Sequence, residues 1–498
     1  MRPTLTAMLL CLSLTSHADQ VILPQGPVSG DYNDGIFSFL GIRYAQPPTG
    51  ERRWSAPLPV RPGDSPIEAS AFSPACLQPE RPYANAPAGY SEDCLTLNVW
   101  SPSLGGALPV MVWIHGGGFR FGSNVFPGEV FAERGVVLVS INYRLGPLGF
   151  FAHEALDSKV ANFGLLDMEL ALRWLQEHIG RFGGDPDQVT VFGVSAGGQA
   201  VNLLMASPRT KGLFHRAISQ SGYGTWALPR SKNAPVPAPR AMDGEPAVSA
   251  EAMSAEIVGR LGVVTTDASA LRALDGEALV TALEGFQLPI VDGTSLPEEP
   301  GIRFLRGEQQ PVPLMTGGNS YEGSVMPAAA ITQADVRRYL GEDLREARNR
   351  YASDPEDLWL QRLFGDYRYL LSAHVLATAM PQVRQPAWLY YLDFLSAGQE
   401  DRPGSYHGTD SSLLLRGHLS EDPQARALTE TLRRYWTDFA RHGDPNGEGP
   451  ARWPANTAKE KNWMLFSGEE SGPRQQVIGA RLELLENRYR DRVKPALD

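Results

Sequence analysis

The sequence predicts an α/β architecture: a large, mostly parallel central sheet flanked by helices, with helical and loop insertions. Three observations carry that reading. The runs "LPVMVWIHGGG" (Leu108–Gly118) and "GVVLVSINYR" (Gly135–Arg144) are continuous, apolar and β-branched, as strands buried on both faces of a parallel sheet must be. Next comes "LLDMELALRWLQEHIGRFGGDP", in which Leu166, Leu170, Trp174 and His178 recur one helical turn apart. Leu172 and Leu175 fill the same stripe, and Gly183-Gly184-Asp185-Pro186 stops it. A further apolar run at Gln188–Phe192 completes strand, helix, strand, which implies a right-handed crossover within an α/β sheet.

The same alternation resumes late in the chain. Beyond Ser221-Gly222, five prolines between Pro229 and Pro246 mark an irregular surface loop. Helical patterns follow at Ala250–Leu261 and Ala268–Leu283. "PVPLMTGGNS" (Pro311–Ser320) reads as a strand ending in glycines, and "AWLYYLDFL" (Ala387–Leu395) as a late strand. "RALTETLRRYWTDFARHGDP" is a strong amphipathic helix closed by Gly443 and Pro445. No linker separates two complete cores, so residues 19–498 read as one domain behind a short leader.

That leader is "MRPTLTAMLLCLSLTSHA". One arginine precedes an apolar run from Ala7 to Leu14, and Ser16 and Ala18 supply the small residues a signal peptidase requires. The run is far shorter than the roughly 20 apolar residues of a membrane span. The expectation is a secreted or periplasmic protein cut after Ala18. Removing the leader removes Cys11 and leaves Cys76 and Cys94. In an oxidising compartment these read as a disulfide closing a loop rather than a redox or metal pair. With 42% hydrophobic and 20% charged residues the chain can bury a sizeable core, and a net charge of −11 argues against nucleic acid as a partner.

The chemistry begins at "VTVFGVSAGGQA" (Val189–Ala200), where a single serine, Ser195, stands among small residues. Gly193-Val194-Ser195-Ala196-Gly197 satisfies G-x-S-x-G, the tight strand-to-helix turn of a nucleophile whose neighbours leave no room for side chains. The helix that follows turns backbone N–H groups and a positive dipole end toward the serine. Upstream, "IHGGGF" (Ile114–Phe119) follows an apolar strand. Its glycines can turn their N–H groups into a cavity and, with the N–H of Ala196, hold a developing oxyanion.

At this point the chain resembles the type-B carboxylesterases, the cholinesterase-like family of the α/β-hydrolase fold. The resemblance is carried by "FLGIRYAQPPTGERRW" (Phe39–Trp54), "SEDCLTLNVW" (Ser91–Trp100), "VMVWIHGGGFRFGS" (Val110–Ser123), the stretch from Ala161 to Gly198 and "RAISQSG" (Arg216–Gly222). It implies Ser195 as the acyl-forming nucleophile, Gly117, Gly118 and Ala196 as the oxyanion hole, and Glu322 in "GGNSYEGS" as the triad acid. It also implies His407 in "SYHGTD" as the base, Ser221 as a hydroxyl beside the triad, and a Cys76–Cys94 disulfide. The substrate would be a small-molecule ester, and this chemistry needs no metal or cofactor.

The residues themselves agree. His153, His178, His215, His374 and His442 lie on or beside apparent helices, His115 sits inside the glycine turn, and His418 has no strand before it. His407 alone occupies a polar loop after a late strand. Among acids, Asp292 and Asp410 remain competitors to Glu322. Two departures bear on the substrate. Val194 stands where relatives commonly carry a glutamate, and Tyr83 and Tyr90 are the aromatic residues between Cys76 and Cys94, where cholinesterases hold a choline-binding tryptophan. Arg43 replaces the usual proline of its motif. Rival readings are a hormone-sensitive-lipase-like esterase or peptidase, which would lack the "EDCL" stretch, and a non-catalytic adhesion homologue, which would have lost the triad.

Overall fold

Among the described residues, eleven strands form one sheet that draws on the chain from Asp31 to Gln475. The computed structural model describes residues 20–80, 89–447, 451–457 and 460–498, so the predicted leader and Tyr83 lie outside the described residues. Numbering the strands of this sheet alone, they are β1 Asp31–Asn33, β2 Ile36–Arg43, β3 Thr96–Ser101, β4 Leu108–Ile114, β5 Val137–Ile141 and β6 Gly184–Val194. The rest are β7 Arg216–Gln220, β8 Leu314–Asn319, β9 Ala387–Leu392, β10 Asn462–Phe466 and β11 Gly472–Gln475. Their spatial order is β11-β10-β9-β8-β7-β6-β4-β5-β3-β2-β1. The seven strands from β4 to β10 pair in parallel, and antiparallel strands close both edges.

The continuous apolar runs follow from burial on two faces. Along β4, Val110, Val112 and Ile114 join one core and Met111 and Trp113 the other, as the two-residue repeat of a strand requires. The first core is filled by helix α1 (Phe163–His178) through Leu165, Met168 and Leu172, and by α2 (Ala196–Ala206) through Val201 and Leu204. We take as α3 Trp359–Gly365, as α4 Leu371–Ala379 and as α5 Pro423–His442. The last lays Leu428, Leu432, Trp436 and Phe439 into the second core, each side chain stabilising by about 1.5–3 kcal/mol. Asp422 caps its start by accepting from Gln424 N–H, and Gly443 closes it at φ 69°.

Topology then places the site. From β4 the chain moves to β5 on one side and returns to β6 on the other, so the carboxyl ends of β4 and β6 flank a crevice where the strand order reverses. The loops after β7, β8 and β9 open on the same edge, because those strands run parallel to β6.

Some boundaries depart from the sequence reading. The strand expected at Gln188–Phe192 runs from Gly184 to Val194. The single helical pattern at Ala268–Leu283 is two helices, Ala268–Arg272 and Gly276–Ala282, because the Asp275 side chain accepts from Glu277 N–H and starts a new helix there. His215 stands beside no helix; its N–H donates to Val189 O at the entrance of β7. Cys76 and Cys94 are bonded, with Cα atoms 4.9 Å apart. No helix among the described residues is long and apolar enough to cross a membrane.

Candidate active site

Ser195 is the hinge between β6 and α2, with φ 59° and ψ −119°. Such a backbone is costly for a residue with a side chain, and it persists where the surroundings over-determine it. Here they do. A Cβ on Gly197 would lie 2.0 Å from Ile114 O, and one on Gly193 would lie 2.4 Å from the same oxygen. The turn is wedged against the end of β4, and bulk on either side of the serine would push it out. Ser195 N–H donates to Gln220 O (2.9 Å), and Ser195 O accepts the first helical bond from Gln199 N–H (2.8 Å). The residue is 8% exposed, nearly enclosed yet reachable.

The glycine loop after β4 presses on this turn from the other side. A Cβ on Gly116 would stand 3.3 Å from Ser195 Cβ. Gly117 and Gly118 have φ 107° and 64°. Their carbonyls are tied away from the serine, Gly117 O by Arg120 and Phe121 N–H and Gly118 O by Gln287 N–H. The N–H groups of Gly117, Gly118 and Ala196 donate to no acceptor among the described residues. Three backbone donors without an acceptor are chemically able to donate to a ligand oxygen. His115 packs the loop from beneath, its ring stacked 4.4 Å from that of Tyr143. Burial pulls its pKa down to about 4, against a bond to Gly116 O that works the other way.

Glu322 begins a short helical turn just beyond β8 and is buried. Its Oε1 accepts from Ser221 Oγ (2.6 Å), Asn319 N–H (2.7 Å) and Asn319 Nδ2 (3.0 Å), while Oε2 contacts His407 Nδ1. Burial alone would raise the carboxyl pKa. The charge of His407 and the hydrogen bonds from His407, Ser221 and Asn319 together hold it below its usual range. His407 lies on the loop after β9, its own N–H donating to Ser324 Oγ (2.9 Å). With Nδ1 on the carboxylate, Nε2 is the nitrogen left over. It is buried and has no hydrogen-bond partner.

The structure therefore joins Glu322, His407 and Ser221 in one network and sets Ser195 on the same sheet edge, without a hydrogen bond between Ser195 and His407. It separates the competing acids from any histidine. Asp292 accepts from the N–H groups of Ala161 (2.7 Å), Ser295 (2.7 Å), Thr294 (2.9 Å) and Leu296 (3.0 Å), which is a loop closure. Asp410 accepts from Gln220, Asn319, Tyr390 and Ser411. Sequence reasoning missed Asn319, which serves both Glu322 and Asp410, and the segment from α3 to α4. That segment contains a π-helical turn, Asp366–Leu370, whose Tyr369 ring lies 4.7 Å from the His407 ring. π-Turns gather at functional sites, but nothing in "DYRYL" announces one.

A profile described as the carboxylesterase family matches residues 17–484. The chain belongs to the carboxylesterase family. It is 35% identical over 474 residues to the fumonisin B1 esterase of Sphingopyxis macrogoltabida, covering 86% of this chain and 83% of that one. It is 31% identical over 510 residues to the para-nitrobenzyl esterase of Bacillus subtilis (strain 168), covering 93% and 99%. Among solved structures, a PNB esterase superposes with a TM-score of 0.81 at 29% identity, over 94% of this chain and 99% of the other. The carboxylesterase EST55 of Geobacillus stearothermophilus at pH 6.2 gives 0.80 at 30% identity, over 94% and 99%. The fold is thus the α/β-hydrolase fold, and the molecule is a carboxylesterase.

Proposed function

We propose that this esterase cleaves small carboxylic esters through an acyl-enzyme on Ser195, with His407 as base, Glu322 as its partner and Gly117, Gly118 and Ala196 as oxyanion donors. His407 Nε2 takes the Ser195 proton as Oγ attacks the ester carbonyl. The carbonyl oxygen, now negative, lies on the three unpaired N–H groups. The tetrahedral adduct collapses as the imidazolium protonates the leaving alcohol. Water then attacks the acyl-enzyme by the same route, releasing the acid and restoring Ser195. Glu322 fixes the tautomer in which Nε2 faces the serine and stabilises the imidazolium. The Ser195–His407 bond is the contact that substrate binding must tighten, since such bonds are often long without substrate.

The observation that carries this reading is the pairing of His407 Nδ1 with a buried carboxylate while Nε2 is left free. Ser195→Ala tests it. Turnover should fall by on the order of 10⁴-fold or more, and fluorophosphonate labelling should vanish with the fold intact. Labelling retained on another serine would overturn the assignment.

The substrate reading is a general ester hydrolase without choline selectivity, supported by Val194 beside the nucleophile and the lack of a tryptophan between Cys76 and Cys94. A quaternary ammonium wants an aromatic face or a carboxylate to replace its hydration, and a desolvated cation–π contact is worth about 2 kcal/mol. An acylcholine should therefore be cleaved no better than a neutral ester of matched reactivity. A preference of about tenfold or more, some 1.4 kcal/mol, would refute this. Secretion after cleavage at Ala18 is supported by the leader sequence and by the Cys76–Cys94 bond.

A further inference from the structure

Six arginines are buried among the described residues, and five have obvious partners. Arg53 meets Glu92, Arg144 meets Asp167, Arg230 meets Glu298 and Arg492 meets Glu299, each with two nitrogens on one carboxylate. Arg433 donates to Leu414 O, Leu415 O and His418. Arg368 differs. It is 2% exposed, no carboxylate lies within ion-pair distance, and its Nε and Nη2 are sealed from solvent without an acceptor.

What surrounds it is aromatic. The guanidinium carbon lies 4.4 Å from the ring centre of Tyr223 and 4.7 Å from that of Trp226. The neighbouring Tyr369, on the same π-helical turn, is the ring packed 4.7 Å from His407. The hydroxyls of Tyr223 and Tyr369 are themselves buried and without a hydrogen-bond partner. Burial pushes the Tyr223 hydroxyl up to about 12 against the pull of Arg368, so it stays a neutral donor. A guanidinium cannot shed its proton to escape such a place. Aromatic faces satisfy its charge, but they accept little from its planar N–H fork. The fork and the two hydroxyls stand one residue contact from the imidazole of His407, none of them with a hydrogen bond of good geometry. The hydroxyl oxygens face the guanidinium as weak acceptors, which leaves the hydroxyl hydrogens still to be placed. A carboxylate is a group that would satisfy them, since it takes a fork of N–H bonds and a hydroxyl together.

We propose that Arg368, with Tyr223 and Tyr369, recognises a second, ionised carboxylate on the ester substrate, making Arg368 the specificity-determining residue for anionic esters. The proposal rests on Ser195 and His407 being the reacting pair. It commits to charge, leaving the side of the ester that bears it to the experiment.

The test uses two matched pairs of substrates. One puts the charge on the acyl side, an aryl hemiglutarate against the aryl pentanoate. The other puts it on the alcohol side, 4-carboxyphenyl acetate against 4-carbamoylphenyl acetate. The readout is the ratio of kcat/KM within each pair, anionic over neutral. The wild-type ratio should be about 10²-fold in one pair, and Arg368→Gln should bring it down to near one. Arg368→Lys should leave an intermediate ratio, since it keeps the charge and loses the fork. Arg368→Met, which keeps an apolar stem among the rings, replaces the glutamine variant if that one does not fold. A wild-type ratio near one in both pairs overturns the proposal, and so does a preference that survives loss of the guanidinium. Fluorophosphonate titration of Ser195 in every sample keeps the two questions apart. Full labelling with a flat ratio defeats the Arg368 proposal alone, while absent labelling with turnover intact defeats the Ser195 reading.

Discussion

Glu322 and Asp410 are both buried acids at the carboxyl edge of the sheet, and both hold the same asparagine, Asn319. Only Glu322 meets an imidazole. Asp410 has its oxygens occupied by Gln220 Nε2 (3.0 Å), Asn319 Nδ2 (3.2 Å), Ser411 N–H (2.8 Å) and the Tyr390 hydroxyl. Burial and the charge of Asp410 drive the Tyr390 hydroxyl far above its ordinary pKa, so it remains a donor to that carboxylate. Glu322 instead spends one oxygen on Ser221 and Asn319 and leaves the other for His407. The difference teaches that burial and charge alone do not bring a carboxylate to an imidazole. One of its oxygens must also be left clear of other donors, as Oε2 of Glu322 is for His407.

Between these two acids, the larger effect should come from Glu322→Gln. The amide keeps the shape but loses the charge that stabilises the imidazolium, and kcat/KM should fall by about 10³-fold or more, some 4 kcal/mol. The sign of its titration sharpens the point. Because the folded carboxyl pKa is depressed, Glu322 adds stability above the unfolded value of 4.5, and that stability is lost as pH falls through the lower folded value. The variant should lose this part of the acid dependence. If Asp410→Asn damages turnover more than Glu322→Gln, the comparison collapses.

His115 gives the opposite titration, and an effect next in size. Its folded pKa is lowered from 6.5 to about 4 by burial, so the fold holds the neutral ring. Between those values the unfolded chain takes up a proton that the folded chain refuses. Stability is therefore intact above pH 6.5 and declines toward pH 4, by up to roughly 3 kcal/mol. Urea unfolding of His115→Gln across this window should show a loss smaller by about that amount. An unchanged slope would mean that His115 is protonated in the folded protein.

Asp410→Asn and Asp292→Asn should act on stability more than on chemistry. Each keeps one acceptor oxygen but turns an NH2 toward groups that already donate, which costs about 1–3 kcal/mol per unsatisfied contact. Turnover should fall by less than about tenfold for Asp410, which reaches Glu322 only through Asn319, and by less still for Asp292. Thermal unfolding beside active-site titration separates the two quantities. A large fall in turnover per titrated site for Asp292→Asn would bring it back as a rival acid.

How much of this was legible in the sequence depends on how local the cause is. The turn at Ser195 is readable because β4 and β6 are continuous apolar runs and the residues between strand and helix must be small. His407 could be singled out as the histidine in a polar loop after a late strand, but the choice of Glu322 over Asp292 and Asp410 leaned on resemblance. Their hydrogen-bond partners lie up to 190 residues away in the chain. Asn319 and Arg368 were invisible for the same reason. An asparagine at a strand end and an arginine in a helical stretch are ordinary until the fold shows what faces them. The break at Asp275 was legible in principle, since an aspartate two residues before Glu277 is an N-cap signal, but the apolar periodicity ran through it.

The smallest effect belongs to a carboxylate in water. Arg43 forms a two-point pair with Asp93, with side chains 45% and 33% exposed. Good geometry does not rescue such a pair, because water solvates both charges nearly as well when they are apart, and salt screens what remains. Arg43→Ala should shift stability by no more than about 0.5 kcal/mol, and turnover on a neutral ester should not change measurably. The strand register is kept without the guanidinium, since Ile42 and Arg43 pair with Leu97 and Thr96 through the backbone. Salt offers the sharper check. If the pair contributes at all, the difference between wild type and Arg43→Ala in urea unfolding should vanish as ionic strength rises toward 1 M, where the screening length falls to about 3 Å. A loss of several kcal/mol that salt leaves untouched would show Arg43 holding this edge of the sheet through its stem rather than its charge.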